Sequence, residues 1–597
     1  MAFDGIVTKA ITSELQQLIG SRIDKVYEPN KNDIILGFYS NGVNYALNIC
    51  TNAQNYRLHL TTHAKQNPKN ALNFCMLLRK YLIGLRIKNI ISVNLERVIT
   101  IEFEGFDDID DIITKKLIIE LMGRHCNVIL VDENNMIIDS LRHISSDNEL
   151  TREIVPHVKY VYPSTNKLNF LEVTNFQDFK LKLNIDFEKM HISDLPSQIS
   201  NVFNGISKSF INHIIETLHL DTLSKIDDTN LEAIYTNMKH IIDATDSLQL
   251  GFDTIKDAKG NVKDYALCIK DSSEPFRLNF FIDDYYFHKE TSEEFKVYRN
   301  SISKLILDTL KKYNKRLNNI NEKLKECDQM DTYKLYGELI TANLYRIKNE
   351  NTDTVSLENY YDNNKVITIP LDKRYSPSHN AKLFFKKYNK LKNALLIVGE
   401  QKEETIKDLD YIESVIYELE ACSTIEDISN VFEEISESSV FKERTEKYKE
   451  KKNPKVKKSK LTKNKYVHFN PIKYKIEDYT LLVGRNNMEN DYLTLKYAKK
   501  TDLWFHTKDI HGSHCILVLN GAPIPKDDIL SKCAEIAAYH SKARNSSNVP
   551  VDICEVKYVK KPNGAKPGMV IYKNNRTLYV NVGDVSNRSK IEQKGQT

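Results

Sequence analysis

Long apolar runs are missing from this chain: no stretch approaches the ~20 consecutive apolar residues that a bilayer-crossing helix needs, so no membrane partner is expected. The first residues carry an early acid, Asp4, and no cationic segment or cleavage site, which argues against a secretory leader. Cysteine is sparse and scattered. The nine cysteines are odd in number and include no CxxC pair, so neither a disulfide framework nor a zinc knuckle is indicated, and a reducing cytoplasm fits best. Proline (15), glycine (19) and tryptophan (1) are few. An excess of one charge is lacking too: 85 Lys and Arg against 81 Asp and Glu leave +4, so a polyanion must be met by local patches. There is no GxxxxGK[ST] loop, GxSxG elbow or HExxH helix, which weakens NTPase, hydrolase and protease readings, and no cofactor is called for.

What is present is a globular composition, with 28% charged and 41% hydrophobic residues. A chain of 597 residues calls for several units of roughly 100–200 residues each. Residues 1–165 alternate helical and β-type segments, among them Val98-Ile-Thr-Ile-Glu-Phe and Asn127-Val-Ile-Leu-Val-Asp, and predict an α+β domain closed by Pro156 and Pro163. Residues 166–290 read as largely helical, with Ile206, Phe210, Ile214, Ile215 and Leu218 on one face. In 291–440 two ladders, Ile306 to Cys327 and Phe384 to Leu419, step by alternating fours and threes, with polar interruptions at Lys402 and Thr405. Pro370 and Pro377 forbid continuous helix between them, so an antiparallel coiled-coil hairpin is expected, a parallel dimer between chains being the alternative. Twelve Asp and Glu between Glu403 and Glu437 give way to ten Lys and one Glu between Lys447 and Lys465. Residues 441–465 are therefore expected to form an extended basic linker, either an arm for nucleic acid or a solvated tether. From 466 to 597 an α+β pattern returns.

Candidate binding residues cluster in three places. In the first domain Arg57, Arg79, Glu96, Arg97, Arg124, His125 and Asn127 recur beside strands. An arginine fork grips phosphate bidentately, and a neighbouring carboxylate can hold the fork in place; an ordinary surface ion pair is the alternative for each. Asn204-Gly205-Ile206-Ser207 entering a helix resembles the hairpin of helix-hairpin-helix modules, where backbone amides around Gly205 and Ser207 approach a phosphate; a plain helix-joining turn explains it equally well. The densest set lies near the C-terminus: Arg485, Asn486, Asp491, Asp502, Trp504, Phe505, His506, Lys508, Ser513 and His514, then Lys542, Arg544, Lys560, Lys561 and Lys566. Trp504 beside Phe505 and His506 offers stacking faces suited to unpaired nucleotides, or else a core anchor. His506, His511 and His514 invite a metal, but no cysteine or acid completes a recognised spacing, so none is expected.

Taken together, the segments Met1-Ala-Phe-Asp-Gly, Lys25-Val-Tyr-Glu-Pro, Glu120-Leu-Met-Gly-Arg-His-Cys-Asn, Asp502-Leu-Trp-Phe-His, Gly512-Ser-His and Gly564-Ala-Lys-Pro-Gly resemble the NFACT family of ribosome-quality-control proteins over essentially the whole chain. The resemblance implies an α+β multidomain protein: an NFACT-N domain of glycosylase-like fold, a helix-hairpin-helix domain, a long antiparallel coiled coil and an NFACT-R RNA-binding domain. It implies a cytoplasmic factor that binds large ribosomal subunits obstructed by peptidyl-tRNA. There it recruits alanyl-tRNA for mRNA-independent alanine tailing of the stalled chain, which marks it for degradation. tRNA and ribosomal RNA would be its partners. Peptide bonds would come from the ribosomal peptidyl-transferase centre, so the chain would not itself be an enzyme. The family's acid-arginine pair, usually Asp-Arg, falls on Glu96-Arg97, and Asp4 matches another family acid. Departures are Cys126 where Ser is usual, His157 for Gly and His511 for Pro.

Two rival readings stand beside this one. The NFACT-N fold is similar to that of formamidopyrimidine-type glycosylases, but their N-terminal proline nucleophile is replaced by Ala2 and no cysteine zinc finger follows. Some members of the family are labelled fibronectin-binding proteins, yet an exported adhesin should show a leader, repeats or a wall-sorting tail, and Ile591 to Thr597 offers none.

Overall fold

Asp4 caps the first helix, α1 (Gly5–Leu15), its carboxylate accepting from the Ile6 and Val7 amides at 3.1 Å. The computed structural model describes residues 3–40, 42–106, 111–145, 152–186, 189–247, 250–256, 260, 262–269, 277–347, 352–452 and 469–582. The chain divides into two compact units, Met1–Thr291 and Ser292–Thr597.

In the first unit β1 (Arg22–Asn30), β2 (Asp33–Ser40), β3 (Val43–Cys50), β4 (Arg57–Leu60), β5 (Arg86–Ser92), β6 (Val98–Phe106), β7 (Ile112–Glu120), β8 (Asn127–Val131) and β9 (Ile137–Ser140) build one antiparallel sheet, with α2 (Asn73–Leu82) between β4 and β5. The strand order is β4-β3-β2-β1-β5-β6-β7-β8-β9. Alternation sorts the faces. Ile99, Ile101 and Phe103 of β6 enter the main core with Ile6, Ile11 and Leu15 of α1, while Val98 joins Ile118 and Ile129 in a smaller cluster on the other face. Arg142, just after β9, donates to Asn32 Oδ1 at 2.9 Å and to the Thr51 carbonyl at 3.1 Å, tying the β9 edge to the turn between β1 and β2 and to the end of β3.

Four helices follow: α3 (Phe176–Leu183), α4 (Leu195–Val202), α5 (Lys208–Thr217) and α6 (Asp228–Ser247). The helical reading of 166–290 needs one correction, because β10 (Leu250–Lys256) and β11 (Val262–Ile269) form an antiparallel hairpin. Its apolar alternation is short and broken by charged residues, and Tyr265 and Leu267 find their burial against distant elements. One core runs through both the sheet and these helices. The long helix α7 (Leu278–Cys327) begins ahead of the boundary expected at 291.

The second unit takes up α7 and continues with α8 (Met330–Ala342), the hairpin β12 (Thr354–Asn359) and β13 (Lys365–Pro370), then α9 (Pro377–Ala421), α10 (Ile425–Glu437) and α11 (Lys442–Lys452). α7 and α9 run antiparallel in cis. Arg299 donates to the Glu420 carbonyl at 3.2 Å, Arg316 faces Glu404 at 3.8 Å, and Ile302 and Ile306 pack with Tyr411, Ile412 and Val415. At its base α9 also packs on α10, so its buried face widens beyond a heptad seam to take in Asp408, Tyr411 and Glu418, while Leu395 of the expected ladder is left exposed. The basic linker also needs correction: its first residues are helical in α11, where Arg444 donates to the Asp308 carbonyl at 3.0 Å. The rest of that lysine run, 453–465, lies outside the described residues.

The C-terminal part comprises β14 (Ile472–Ile476), β15 (Tyr479–Val483), α12 (Asn487–Tyr492), β16 (Leu503–Thr507), β17 (Cys515–Val518), α13 (Asp527–Tyr539), β18 (Val549–Glu555), β19 (Val559–Lys560), β20 (Ile571–Tyr572) and β21 (Arg576–Val580). Six strands pair in the order β14-β15-β17-β16-β18-β21. α13 covers one face through Cys533, Ala534 and Ala537, and Trp504, Ile516 and Cys554 fill a second cluster.

Candidate nucleic-acid interfaces

Register places the first site. Val98 lies opposite Glu120 and Glu120 opposite Asn127, so the residues just beyond these strand ends, Arg97, Leu121 and Cys126, share one end of the sheet. Arg97 Nη1 donates to the Tyr56 hydroxyl at 2.8 Å, and its guanidinium sits 5.8 Å from that ring. Among the described residues no carboxylate pairs with Arg97, and Glu96 does not clamp it. Glu96 instead faces Tyr162; burial pushes its carboxyl up, and the Tyr162 hydroxyl offsets part of that rise. Arg124 and His125 are exposed on the turn between β7 and β8 at the same end.

Lys167 belongs to this site and was not foreseen. Its ammonium donates to the Ser200 carbonyl at 2.6 Å, and its pKa is lowered by burial and then by the charge of Arg97. Like charges held near one another favour an anion between them. No spacing marked Lys167, because its place depends on the isolated bridge between Leu168 and Phe203.

Several predicted contacts prove to be architecture. Arg57 is 2% exposed, ion-paired to Glu290 at 2.8 Å and stacked 4.3 Å over Tyr286, so it is not open to RNA. Asn127 is fully buried: it accepts from the Val128 and Arg142 amides and donates to the Arg142 carbonyl at 2.8 Å. Arg79 spends its Nε on the Val26 carbonyl at 2.9 Å. Asp4 is buried and accepts from Ser207 Oγ at 2.6 Å, with burial pushing its carboxyl up. Ser207 Oγ in turn caps α5 by accepting from the Phe210 amide at 3.2 Å. Gly205, at φ +72°, accepts from the Gly5 amide at 2.8 Å, and a Cβ on it would lie 1.7 Å from the Leu95 carbonyl oxygen. Asp4, Gly205 and Ser207 therefore form a joint next to Glu96-Arg97; the hairpin is packed against backbone and is not an open phosphate cradle.

The C-terminal candidates divide in the same way. Asn486 caps α12, accepting from the Glu489 amide at 2.8 Å. Asp502 is 2% exposed and accepts from the Lys499 and Leu519 amides at 2.8 and 3.0 Å. Phe505 is core. Trp504 is fully buried, which corrects the open stacking face: the ring lies between His506 and Tyr572, at centroid distances of 5.5 and 4.8 Å, with His514 at its edge. Burial lowers His506 to about 4 and His514 to about 3, so both imidazoles are neutral at physiological pH, and His514 Nδ1 pairs with Thr494 Oγ1 at 2.8 Å. Among the described residues no group of three or more His, Cys, Asp and Glu is arranged to hold a metal ion. Asp491 pairs with Lys561 and accepts from the Gly568 amide at 3.1 Å, tying down the loop between them. The Ser513 amide donates to the His540 carbonyl at 2.9 Å. Lys508, Arg544 and Lys560 are exposed. Arg485 and Lys566 meet acids of α10 and α9 in the lining of a cleft of about 1690 Å³, and Lys542 pairs with Glu413 of α9 at 3.3 Å.

With the geometry in place, comparison with known proteins gives the class. Residues 465–574 match the NFACT protein RNA binding domain, so the chain is an RNA-binding protein of mixed α and β architecture. Residues 4–454 match the NFACT N-terminal and middle domains, and the chain belongs to the NFACT family. It is 32% identical over 596 residues to the Rqc2 homolog RqcH of Bacillus subtilis, spanning 97% of this chain and 98% of that one. To the Rqc2 homolog RqcH of Streptococcus suis it is 33% identical over 586 residues, again spanning 97% and 98%. Among solved structures, the fibrinogen binding protein from Staphylococcus aureus is 26% identical, with a TM-score of 0.40, covering 48% of this chain and 99% of that one.

Proposed function

We propose that this chain acts in ribosome quality control, binding large ribosomal subunits obstructed by peptidyl-tRNA and recruiting a tRNA to them. The similarity to the two RqcH proteins over nearly the full length of both partners supports this reading, as does the RNA-binding domain. The observation that carries the tRNA contact is Arg97: a guanidinium held by a neutral phenol at 2.8 Å, with Lys167 nearby and no carboxylate partner among the described residues. A phosphate is the partner that such a fork takes bidentately.

By family resemblance the recruited tRNA carries alanine, and successive alanines extend the stalled chain without mRNA and mark it for degradation. This chain catalyses no step in that scheme. It works in the cytoplasm by holding an adaptor near the ribosome's own peptidyl-transferase centre, where proximity and orientation do the rest. The test is to recover the protein from cells and sequence the RNA that accompanies it, for the unaltered chain and for Arg97→Ala. Large-subunit RNA in both samples, with tRNA depleted about tenfold or more from the variant, is expected. Equal tRNA in both samples would remove Arg97 from the contact, and absence of large-subunit RNA from both would end the reading.

A further inference from the structure

The cations of the C-terminal domain do not all face water. Arg485 Nη1 lies 3.5 Å from Asp427 Oδ1, Lys566 Nζ 3.2 Å from Asp408 Oδ1 and Lys542 Nζ 3.3 Å from Glu413 Oε2, while His511, whose protonation burial disfavours, places Nε2 3.4 Å from Asp410 Oδ1. The cleft between these walls, about 1690 Å³, exceeds the ~300–1,000 Å³ usual for small-molecule sites. One wall carries Asp408, Asp410, Glu418 and Asp427, with Lys407 among them; the other carries Arg485, Arg544 and Lys566 beside Trp504, His506 and Tyr572. Trp504 is fully buried and its Nε1 has no hydrogen-bond partner among the described residues, although buried indole N–H groups ordinarily find one. A row of carboxylates set against cations and rings matches the charge pattern that a phosphodiester strand would meet there. The Lys542–Glu413 pair is exposed on both sides, at 39% and 52%, and so is weak, whereas Asp408 and Asp427 keep only 9% and 14% of their side chains exposed.

We propose that this cleft is a binding site for a single-stranded RNA segment and that the carboxylates of α9 and α10 stand where its phosphates go, so that the helical hairpin competes with RNA for the domain's cations. The proposal rests on the RNA reading above and adds to it a location and an internal competitor. Arg485, Lys542 and Lys566 exchange carboxylate for phosphate, Arg544 contributes a further charge, and the Trp504 N–H gains an acceptor.

The test is fluorescence anisotropy of the full-length protein with a labelled single-stranded RNA of about eight nucleotides, at several salt concentrations. Asp410→Asn, an exposed change in the lining of the cleft, tightens binding, and the combination Asp410→Asn, Glu413→Gln and Asp427→Asn tightens it about tenfold or more and steepens its salt dependence. Arg544→Ala weakens binding in both backgrounds. Unchanged or weaker binding by folded acid variants overturns the competition; if the combination fails to fold, Asp410→Asn alone decides. A duplex bound more tightly than the single strand overturns the assignment to unpaired RNA. No RNA binding by any variant removes the RNA reading itself, an outcome distinct from RNA binding that ignores the acids.

Discussion

The two cation-bearing regions hold their charges by opposite means. At the end of the nine-stranded sheet, Arg97 is positioned by the neutral hydroxyl of Tyr56 at 2.8 Å, with Lys167 as its charged neighbour. In the C-terminal part, Arg485, Lys542 and Lys566 are each positioned by a carboxylate within 3.5 Å. A hydroxyl orients a guanidinium without neutralising it, whereas a carboxylate orients and neutralises together. The first region is ready for an anion as it stands. In the second, Arg485, Lys542 and Lys566 must exchange partners before they take one.

The comparison can be broken first at the joint next to Arg97. Gly205→Ala would set a Cβ 1.7 Å from the Leu95 carbonyl oxygen at φ +72°, and is expected to cost about 3 kcal/mol or more of the first unit's stability. A urea midpoint left unmoved would show that the hairpin does not brace the Arg97 strand end. Arg57→Ala comes next, since it removes the buried guanidinium from Glu290 and from the Tyr286 ring, leaving Glu290 only Lys65 at 3.4 Å among the described residues. About 2–4 kcal/mol is expected, below the fully buried case because Glu290 keeps 33% of its side chain exposed. Arg97→Ala should cost under about 1 kcal/mol while sacrificing tRNA retention. Equal stability losses for Arg57→Ala and Arg97→Ala would erase the distinction between a bracing arginine and a binding one.

That distinction marks how far the sequence could be read. The 4-3 spacing of Ile306, Leu310, Tyr313 and Ile320 is a property of neighbouring residues, so the hairpin helices were legible, and all four turn inward. The mixed helix and strand character at both ends was legible for the same reason, since alternation in β6 and β8 is local. Which polar residues face the core was not. Arg57 and Arg97 look alike in the sequence, and Glu290 and Tyr286, arriving on the distant helix α7, draw Arg57 inside. Asn127 and Asp502 were misassigned likewise, because their partners are backbone groups whose position exists only once the chain has folded. The linker was misread because like charges suggest extension, while the contact of Arg444 with Asp308 supports a helix there.

The smallest effect sharpens the contrast by pH. In the first unit Asp283 accepts from Thr61 Oγ1 at 2.6 Å and the Thr62 amide at 2.7 Å; these bonds, with His59, hold its carboxyl below the ordinary 3.8 despite burial, so its stabilisation is lost only in strong acid. In the second unit the buried carboxyls of Glu418 and Glu434 lie together, Glu434 taking hydrogen bonds from Tyr411 and Asn487 at 2.8 and 3.2 Å, and burial raises both above the ordinary 4.5. A carboxyl raised on folding binds more protons folded than unfolded, so stability is lower above the raised value and recovers as pH falls toward 4.5. His506 and His514 act the other way, since burial lowers both and their stabilisation fades once pH drops below the ordinary 6.5. The carboxyl effect is therefore cleanest between about pH 8 and about pH 6.5, where a gain on the order of 1 kcal/mol on acidification is expected. Glu434→Gln substitutes an amide that can donate to Glu418 and should flatten the thermal-midpoint profile across that window. A variant that keeps the slope of the unaltered chain would show that the Glu418–Glu434 pair does not carry it.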